Sequence, residues 1–217
     1  MAEIFIKASE ISNLTDARYF SAQGVEWLGF NLDENNPEAV SHPQFLAIRE
    51  WISGPNIVGE FATLSDINYL NRCIDSLKLK AVQVGQFIQV DSLKKLPSDI
   101  TLFYEQIIEN KEDVLTLKNK WEELRSFVHF FILDFSKNNI SWSTLISTPE
   151  IFNAIQSLAK DFPLLLSFNP ENNEFLEIFT LENLLGISLK GGSELKTGMK
   201  SFETYDSIFE YLEEIKN

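Results

Sequence analysis

The chain has 217 residues and a net charge of -14 at pH 7, and it has no Lys/Arg run longer than Lys94-Lys95. This composition excludes an ordinary nucleic-acid-binding protein, which needs a basic face for phosphate, and no apolar run approaches the roughly 20 residues of a membrane span. The single cysteine, Cys73, allows no intrachain disulfide, and the N-terminal segment lacks the features of a signal peptide, so we expect a cytoplasmic protein.

Short apolar segments alternate with amphipathic segments along the whole chain. The first strand is predicted at 4–8, and the first helix at 14–23, with Ser12 or Asn13 as its N-cap and Gly24 as its stop signal. Further strands are predicted at 27–32, 56–62, 81–84, 100–106, 128–134, 164–168 and 185–190. Further helices are predicted at 43–52, 65–77, 92–96, 111–127, 149–161, near 175, and at 202–215.

Eight strands, each followed by a helix, predict a (β/α)8 TIM barrel that forms a single domain over 1–217. Continuous apolar strands such as Phe130-Phe131-Ile132-Leu133 are typical of a parallel sheet buried on both faces. An open, doubly wound sheet would show the same alternation, so the periodicity favours the barrel without deciding between the two.

Several motifs add a second signal, because they follow one another in a fixed order and spacing. They include Ile11-Ser12-Asn13-Leu14-Thr15-Asp16-Ala17, Gly24-Val25-Glu26-Trp27-Leu28-Gly29-Phe30, Ile132-Leu133-Asp134, Asn169-Pro170-Glu171-Asn172 and Thr197-Gly198-Met199-Lys200. Together they resemble the phosphoribosylanthranilate isomerase family, a TIM barrel of tryptophan biosynthesis. The resemblance implies the barrel rather than the open sheet.

The resemblance also implies roles for residues at the strand ends. The family performs an Amadori rearrangement with an aspartate after the sixth strand as general acid, and Asp134 takes that position. Burial is expected to raise the pKa of Asp134, although an aspartate there could also cap the following loop. The catalytic base of the family is a cysteine in Lys-x-Cys-Gly, and its place is assigned to Ala8, with Ser9 at the glycine. Glu10 is a candidate substitute base or a surface residue, and Cys73 is expected to be a packing residue.

The family's ligand-binding positions are also altered. Glu38 stands where the family has the arginine that binds the substrate carboxylate, unless the loop 33–36 shifts the register. Ser167 and Phe168 replace the glycines that hold the phosphate after the seventh strand. The pair Gly191-Gly192 and Lys190 could still bind an anion after the eighth strand, or form a plain turn.

The sequence therefore predicts an isomerase-like barrel that has lost ordinary isomerase activity and keeps a site for a small phosphorylated or anionic ligand. The alternatives are an active isomerase with Asp134 and a substitute base, or a different reaction on the same barrel. No metal or other cofactor is expected, because His42 and His129 are not spaced as a metal-binding pair. The oligomeric state stays open.

Overall fold

A computed structural model of the chain describes residues 4–169, 174–191, 194–196, 199–200 and 202–216. Its eight parallel strands follow the chain order around a closed barrel, in which the last strand pairs with the first. The strands are β1 (Phe5–Ser9), β2 (Trp27–Asn31), β3 (Asn56–Phe61), β4 (Ala81–Gly85), β5 (Thr101–Ile107), β6 (Phe130–Asp134), β7 (Leu164–Ser167) and β8 (Gly186–Lys190). The predicted (β/α)8 barrel is confirmed. A small antiparallel pair, β9 (Glu194–Lys196) and β10 (Met199–Lys200), follows β8.

Helices connect the strands and cover the barrel. They are α1 (Leu14–Ala22), α2 (His42–Arg49), α3 (Ile67–Leu77), α4 (Val90–Leu93), α5 (Leu117–Leu124), α6 (Trp142–Ile146), α7 (Pro149–Asp161), α8 (Glu174–Ile178) and α9 (Glu203–Lys216). Asn13 is the N-cap of α1, because its side-chain oxygen accepts from the backbone N–H of Asp16 at 2.9 Å. The short helix α6 was not predicted, since five residues are too few to show a helical period. Across the described residues, no helix has the length and apolar character to cross a membrane.

The side chains of β1 divide between two layers because successive residues of a strand point to opposite faces. Ile6 and Ala8 lie in the apolar layer between the barrel and its helices. Phe5 lies inside the barrel, where it stacks on Phe130 with ring centroids 5.1 Å apart. Lys7 also points into the barrel, because it is bonded there to Glu60 of β3.

The barrel interior is apolar at one end and polar at the other. Val58, Phe103 and Ile132 belong to the apolar cluster that fills it from below. Above them, inward-facing residues towards the carboxyl ends of the strands are polar and buried: Lys7, Ser9, Glu60, Gln83, Glu105, Asp134, Ser167 and Ser188. They lie at the carboxyl ends of the strands, which is the end where TIM barrels carry their sites.

Candidate functional site

A buried ion pair links β1 to β3 below the mouth of the barrel. The Nζ atom of Lys7, which is fully buried, donates to a carboxylate oxygen of Glu60 and to the hydroxyl of Ser9. Gly29 provides the space for this pair, since a Cβ atom there would lie 2.0 Å from Glu60 Oε1. The other carboxylate oxygen of Glu60 accepts from the backbone N–H of Glu10 at 2.9 Å. The pair therefore ties β1 to β3 from inside the barrel.

Ala8, the predicted position of the lost base, and its neighbour Ser9 face opposite sides of β1. Ala8 is fully buried in the outer apolar layer and faces the helices, so its side chain cannot reach a ligand in the barrel. Ser9 faces the interior, where its hydroxyl lies 2.8 Å from Ser188 Oγ and accepts from Lys7. Counting Lys-x-Cys-Gly from Lys7 also gives Ser9 at the cysteine and Glu10 at the glycine.

Glu10 has the backbone geometry of a glycine position and a side chain that reaches two cations. Its φ of 57° lies in the left-handed region that favours glycine. Its Oε1 atom lies 3.4 Å from Lys137 Nζ and 3.5 Å from Lys190 Nζ. The candidate substitute base is thus held between two ammonium groups at the barrel mouth.

Asp134 is fully buried at the end of β6, and hydrogen-bond donors surround its Oδ1 atom. Its Oδ1 atom accepts from Ser136 N at 2.8 Å and Ser136 Oγ at 2.5 Å. Its Oδ2 atom lies 3.3 Å from Lys190 Nζ. This environment complements a carboxylate and also caps the loop after β6. This arrangement fits the loop-capping alternative, and the general-acid role of Asp134 stays a prediction.

Glu105, on β5, is the titratable residue that the sequence reasoning missed. It is 6% exposed, and burial raises its pKa to about 7, helped by Asp134 and Glu60 and opposed by Lys137. Burial also works against the charge of Lys137, yet the carboxylates around it, led by Glu105, raise the pKa of this lysine. The sequence carried a usable signal, because Glu105 lies within a predicted strand and a charged residue is rarely buried there without a role.

A small cavity of about 40 Å³ lies at the centre of these groups. Its lining includes Ser9, Glu10, Asn31, Glu60, Thr63, Gln83, Glu105 and Lys137. Ligand pockets for drug-sized molecules are roughly 300–1,000 Å³. The cavity is therefore of a size for a few water molecules or a small ion, because the side chains of the ion network fill the rest of the space.

The residues predicted to bind phosphate are already engaged with other groups. The backbone N–H of Gly191 donates to Ser9 O at 2.7 Å. Lys190 lies between the carboxylates of Asp134 and Glu10. Gly192 and the turn residues 170–172 fall outside the described residues. The anion site therefore stays a prediction, and its described members would have to exchange partners to bind an anion.

Other predicted positions lie away from this network. Ser167 is buried beside Asp134 in the strand register, whereas Phe168 stacks on Phe135 with centroids 4.9 Å apart in the outer layer. Glu38 is exposed on the loop between β2 and α2. Cys73 is buried in the outer layer, in agreement with a packing role. Within the described ranges, no group of three or more His, Cys, Asp or Glu is arranged to hold a metal ion.

Comparison with known proteins gives matches in structure only. No family model and no curated protein matches the sequence. Phosphoribosylanthranilate isomerase from Thermotoga maritima superimposes with a TM-score of 0.75 at 19% identity, over 97% of this chain and 98% of that chain. The enzyme from Thermus thermophilus gives 0.72 at 19%, over 98% and 100% of the two chains. The enzyme from Pyrococcus furiosus gives 0.72 at 13%, over 97% and 99%.

The chain resembles the phosphoribosylanthranilate isomerases in fold over its full length. At 13–19% identity the likeness concerns the fold alone. An HpcH/HpaI aldolase/citrate lyase family protein from Burkholderia cenocepacia also matches, with a TM-score of 0.60 at 10% identity, over 99% of this chain and 95% of that chain. Because one barrel supports several chemistries, the function of this isomerase-like barrel has to be argued from its site.

Proposed function

We propose that this chain is a phosphoribosylanthranilate-isomerase-like barrel without ordinary isomerase activity. The observation that carries the proposal is the end of β1, where Ser9 stands at the position of the family's base. Its hydroxyl accepts a hydrogen bond from Lys7 Nζ and lies beside the Ser188 hydroxyl, so neither of these neighbours is a carboxylate or an imidazole that could serve as the base. General acid–base groups contribute about 100- to 10,000-fold each, so the absence of a base there would remove most of the turnover.

The size of the barrel mouth supports the same proposal. The side chain of Glu10 crosses the mouth to Lys137 and Lys190, and the remaining cavity has about 40 Å³. A phosphoribosyl ring linked to an aromatic acid needs a far larger pocket. Binding would require these ion pairs to open, and the negative charge of the substrate would then meet Asp134 and Glu105.

One observation favours an active enzyme as the second candidate. Glu105 has a pKa of about 7, which suits a group that must both accept and donate a proton near neutral pH. It lies on the same cavity as Ser9, within the same buried layer as Asp134. In this alternative, Glu105 is the substitute base for an aminosugar phosphate.

The test is a direct assay of the purified protein with phosphoribosylanthranilate. We expect turnover far below about 1 per second and no rescue of a tryptophan auxotroph that lacks the isomerase. A rate of about 1 per second or more, as for ordinary enzymes, would overturn the proposal. In that case Glu105→Gln would abolish turnover if Glu105 is the base. Glu109→Gln is the matched control, because Glu109 is exposed just beyond β5.

A further inference from the structure

Two buried acceptor atoms face the same cavity without a hydrogen-bond partner. They are Oε1 of Gln83 and Oε2 of Glu105, and neither bonds to any of the described residues. Gln83 is 3% exposed and Glu105 is 6% exposed, so bulk water does not solvate them. Both residues line the cavity of about 40 Å³. Because buried acceptors are unfavourable unless a donor meets them, the cavity calls for a ligand with hydrogen-bond donors.

The described ion pairs around the cavity leave one carboxylate, that of Glu105, without a paired cation. Each of three lysines pairs with a carboxylate: Lys7 with Glu60, Lys137 with Glu10, and Lys190 with Asp134 and Glu10. The described ion pairs therefore join three ammonium groups to three carboxylates, and none of them includes Glu105. A single positive charge beside Glu105 would balance the network.

The chemistry of the lining selects the kind of cation. Thr63 Oγ1 donates to Asp33 Oδ2 at 2.9 Å, so its lone pairs remain available to accept from a ligand in the cavity. An amide oxygen, a carboxylate oxygen and a hydroxyl are acceptors that suit N–H donors. A multivalent metal ion is a poorer fit, since no group of three or more metal-binding side chains was found in the part of the chain that the structure describes.

We propose that this cavity binds a small ammonium ion, either NH4+ or the –NH3+ head of a small primary amine, with Glu105 Oε2 and Gln83 Oε1 as its acceptors. The volume suits a head group of this size better than a quaternary ammonium with four methyl groups. The proposal is independent of whether the barrel catalyses the isomerase reaction. It also reverses the expected ligand charge, because the lysine predicted to hold an anion is already paired with carboxylates.

The test is ligand-dependent stabilisation of the full chain. The melting temperature is measured at pH 8 and constant chloride concentration, while ammonium or methylammonium replaces tetramethylammonium as the cation. Separate titrations use potassium and inorganic phosphate. Ligand that binds only the folded state raises the melting temperature in a saturable way. We expect saturation with ammonium and methylammonium, and at least tenfold weaker binding in Glu105→Gln, which keeps the shape of the side chain.

The controls make each outcome decisive. Glu109→Gln removes an exposed carboxylate beyond β5 and is expected to bind as tightly as the unaltered chain. Gln83→Met removes the second acceptor and is also expected to weaken binding. It takes the place of Glu105→Gln if that variant fails to fold. Equal stabilisation by potassium, stabilisation by phosphate alone, or an unchanged affinity in both variants would overturn the proposal. So would the absence of saturable stabilisation.

Proton competition adds an independent check. The groups that face Glu105 are Lys7 from β1, Glu60 from β3, Asp134 from β6 and Lys137 from the loop after β6. Burial raises the pKa of Glu105 to about 7, so a proton occupies this carboxyl at pH 6. Ammonium should therefore bind more weakly at pH 6 than at pH 8, and a proton should be released on binding at pH 6. Equal affinity at the two pH values would contradict Glu105 as the acceptor.

Discussion

Replacing Glu60 with glutamine should destabilise the barrel strongly, because it removes the negative charge that pairs with Lys7. Lys7 is 0% exposed and the side chain of Glu60 is 5% exposed, so water cannot replace the lost partner. Glutamine has nearly the same shape, and its amide oxygen can still accept from the backbone N–H of Glu10. The variant therefore removes the charge while keeping the packing and the hydrogen bond.

The magnitude follows from the burial of the pair. Removing one partner of a buried ion pair costs about 3–5 kcal/mol, because it leaves an uncompensated charge in the interior. The hydroxyl of Ser9 still accepts from Lys7 Nζ, so we expect the lower end of this range, about 3 kcal/mol. Replacing Lys7 with methionine in the same chain should recover most of the loss, since the uncompensated charge at this position is then removed.

The assay is equilibrium urea unfolding followed by tryptophan fluorescence. Asp99→Asn is the matched control, because it breaks the Lys80–Asp99 pair, whose side chains are 81% and 68% exposed. An exposed pair contributes about 0–1 kcal/mol. If Glu60→Gln costs no more than Asp99→Asn, then Lys7 is not held as a charged group in a dry barrel. The reasoning would also fail if the Lys7→Met exchange recovered nothing.

Three further predictions concern single positions. Gly29→Ala should destabilise the chain by about 1–3 kcal/mol in the same unfolding assay, because the new Cβ would overlap Glu60 Oε1; an unchanged midpoint would contradict the close approach. Lys78→Gly should stabilise by about 0.5–1 kcal/mol, since Lys78 ends α3 at a φ of 53°, whereas Lys78→Ala should not. Between pH 4.5 and 7 the unfolded chain releases the Glu105 proton, whereas the folded chain keeps it, because burial raises the pKa of Glu105 to about 7. The free energy of unfolding, compared with that of Glu105→Gln, should therefore fall by roughly 3 kcal/mol over this range and level off above it. A parallel pH dependence of the two chains would refute this assignment.

Local pattern explains why the elements were predictable. The apolar run that becomes β6 lies between polar segments and has the length of a strand. The apolar spacing of α3 produces one buried face, which includes Leu70 and Ile74. The predicted helix at 111–127 was less accurate, because its first turn is a 3₁₀ helix at Lys111–Thr116 and its α-helical part ends at Leu124. Helix ends depend on caps and packing as well as on period.

The candidate site was only partly predictable, because local pattern shows which residue ends a strand but not which distant side chains it meets. Asp134 was found because it ends an apolar strand, which is a local feature. The base position was placed on Ala8, whereas counting Lys-x-Cys-Gly from Lys7 gives Ser9, and a shift of one residue reverses the face of a strand. The side chain of Ser9 reaches the interior, as the bond to Ser188 shows, 179 residues further along the chain.

The sequence by itself determined the alternating strands and helices, and with the ordered motifs it predicted the barrel and the loss of the isomerase base. Only the tertiary structure shows which charged side chains meet at the barrel mouth. It brings Lys7 to Glu60 and Glu10 to both Lys137 and Lys190, over separations that local pattern does not register. It also leaves Glu105 and Gln83 buried with acceptor atoms that bond to none of the described residues, because the closed barrel shields both side chains from water.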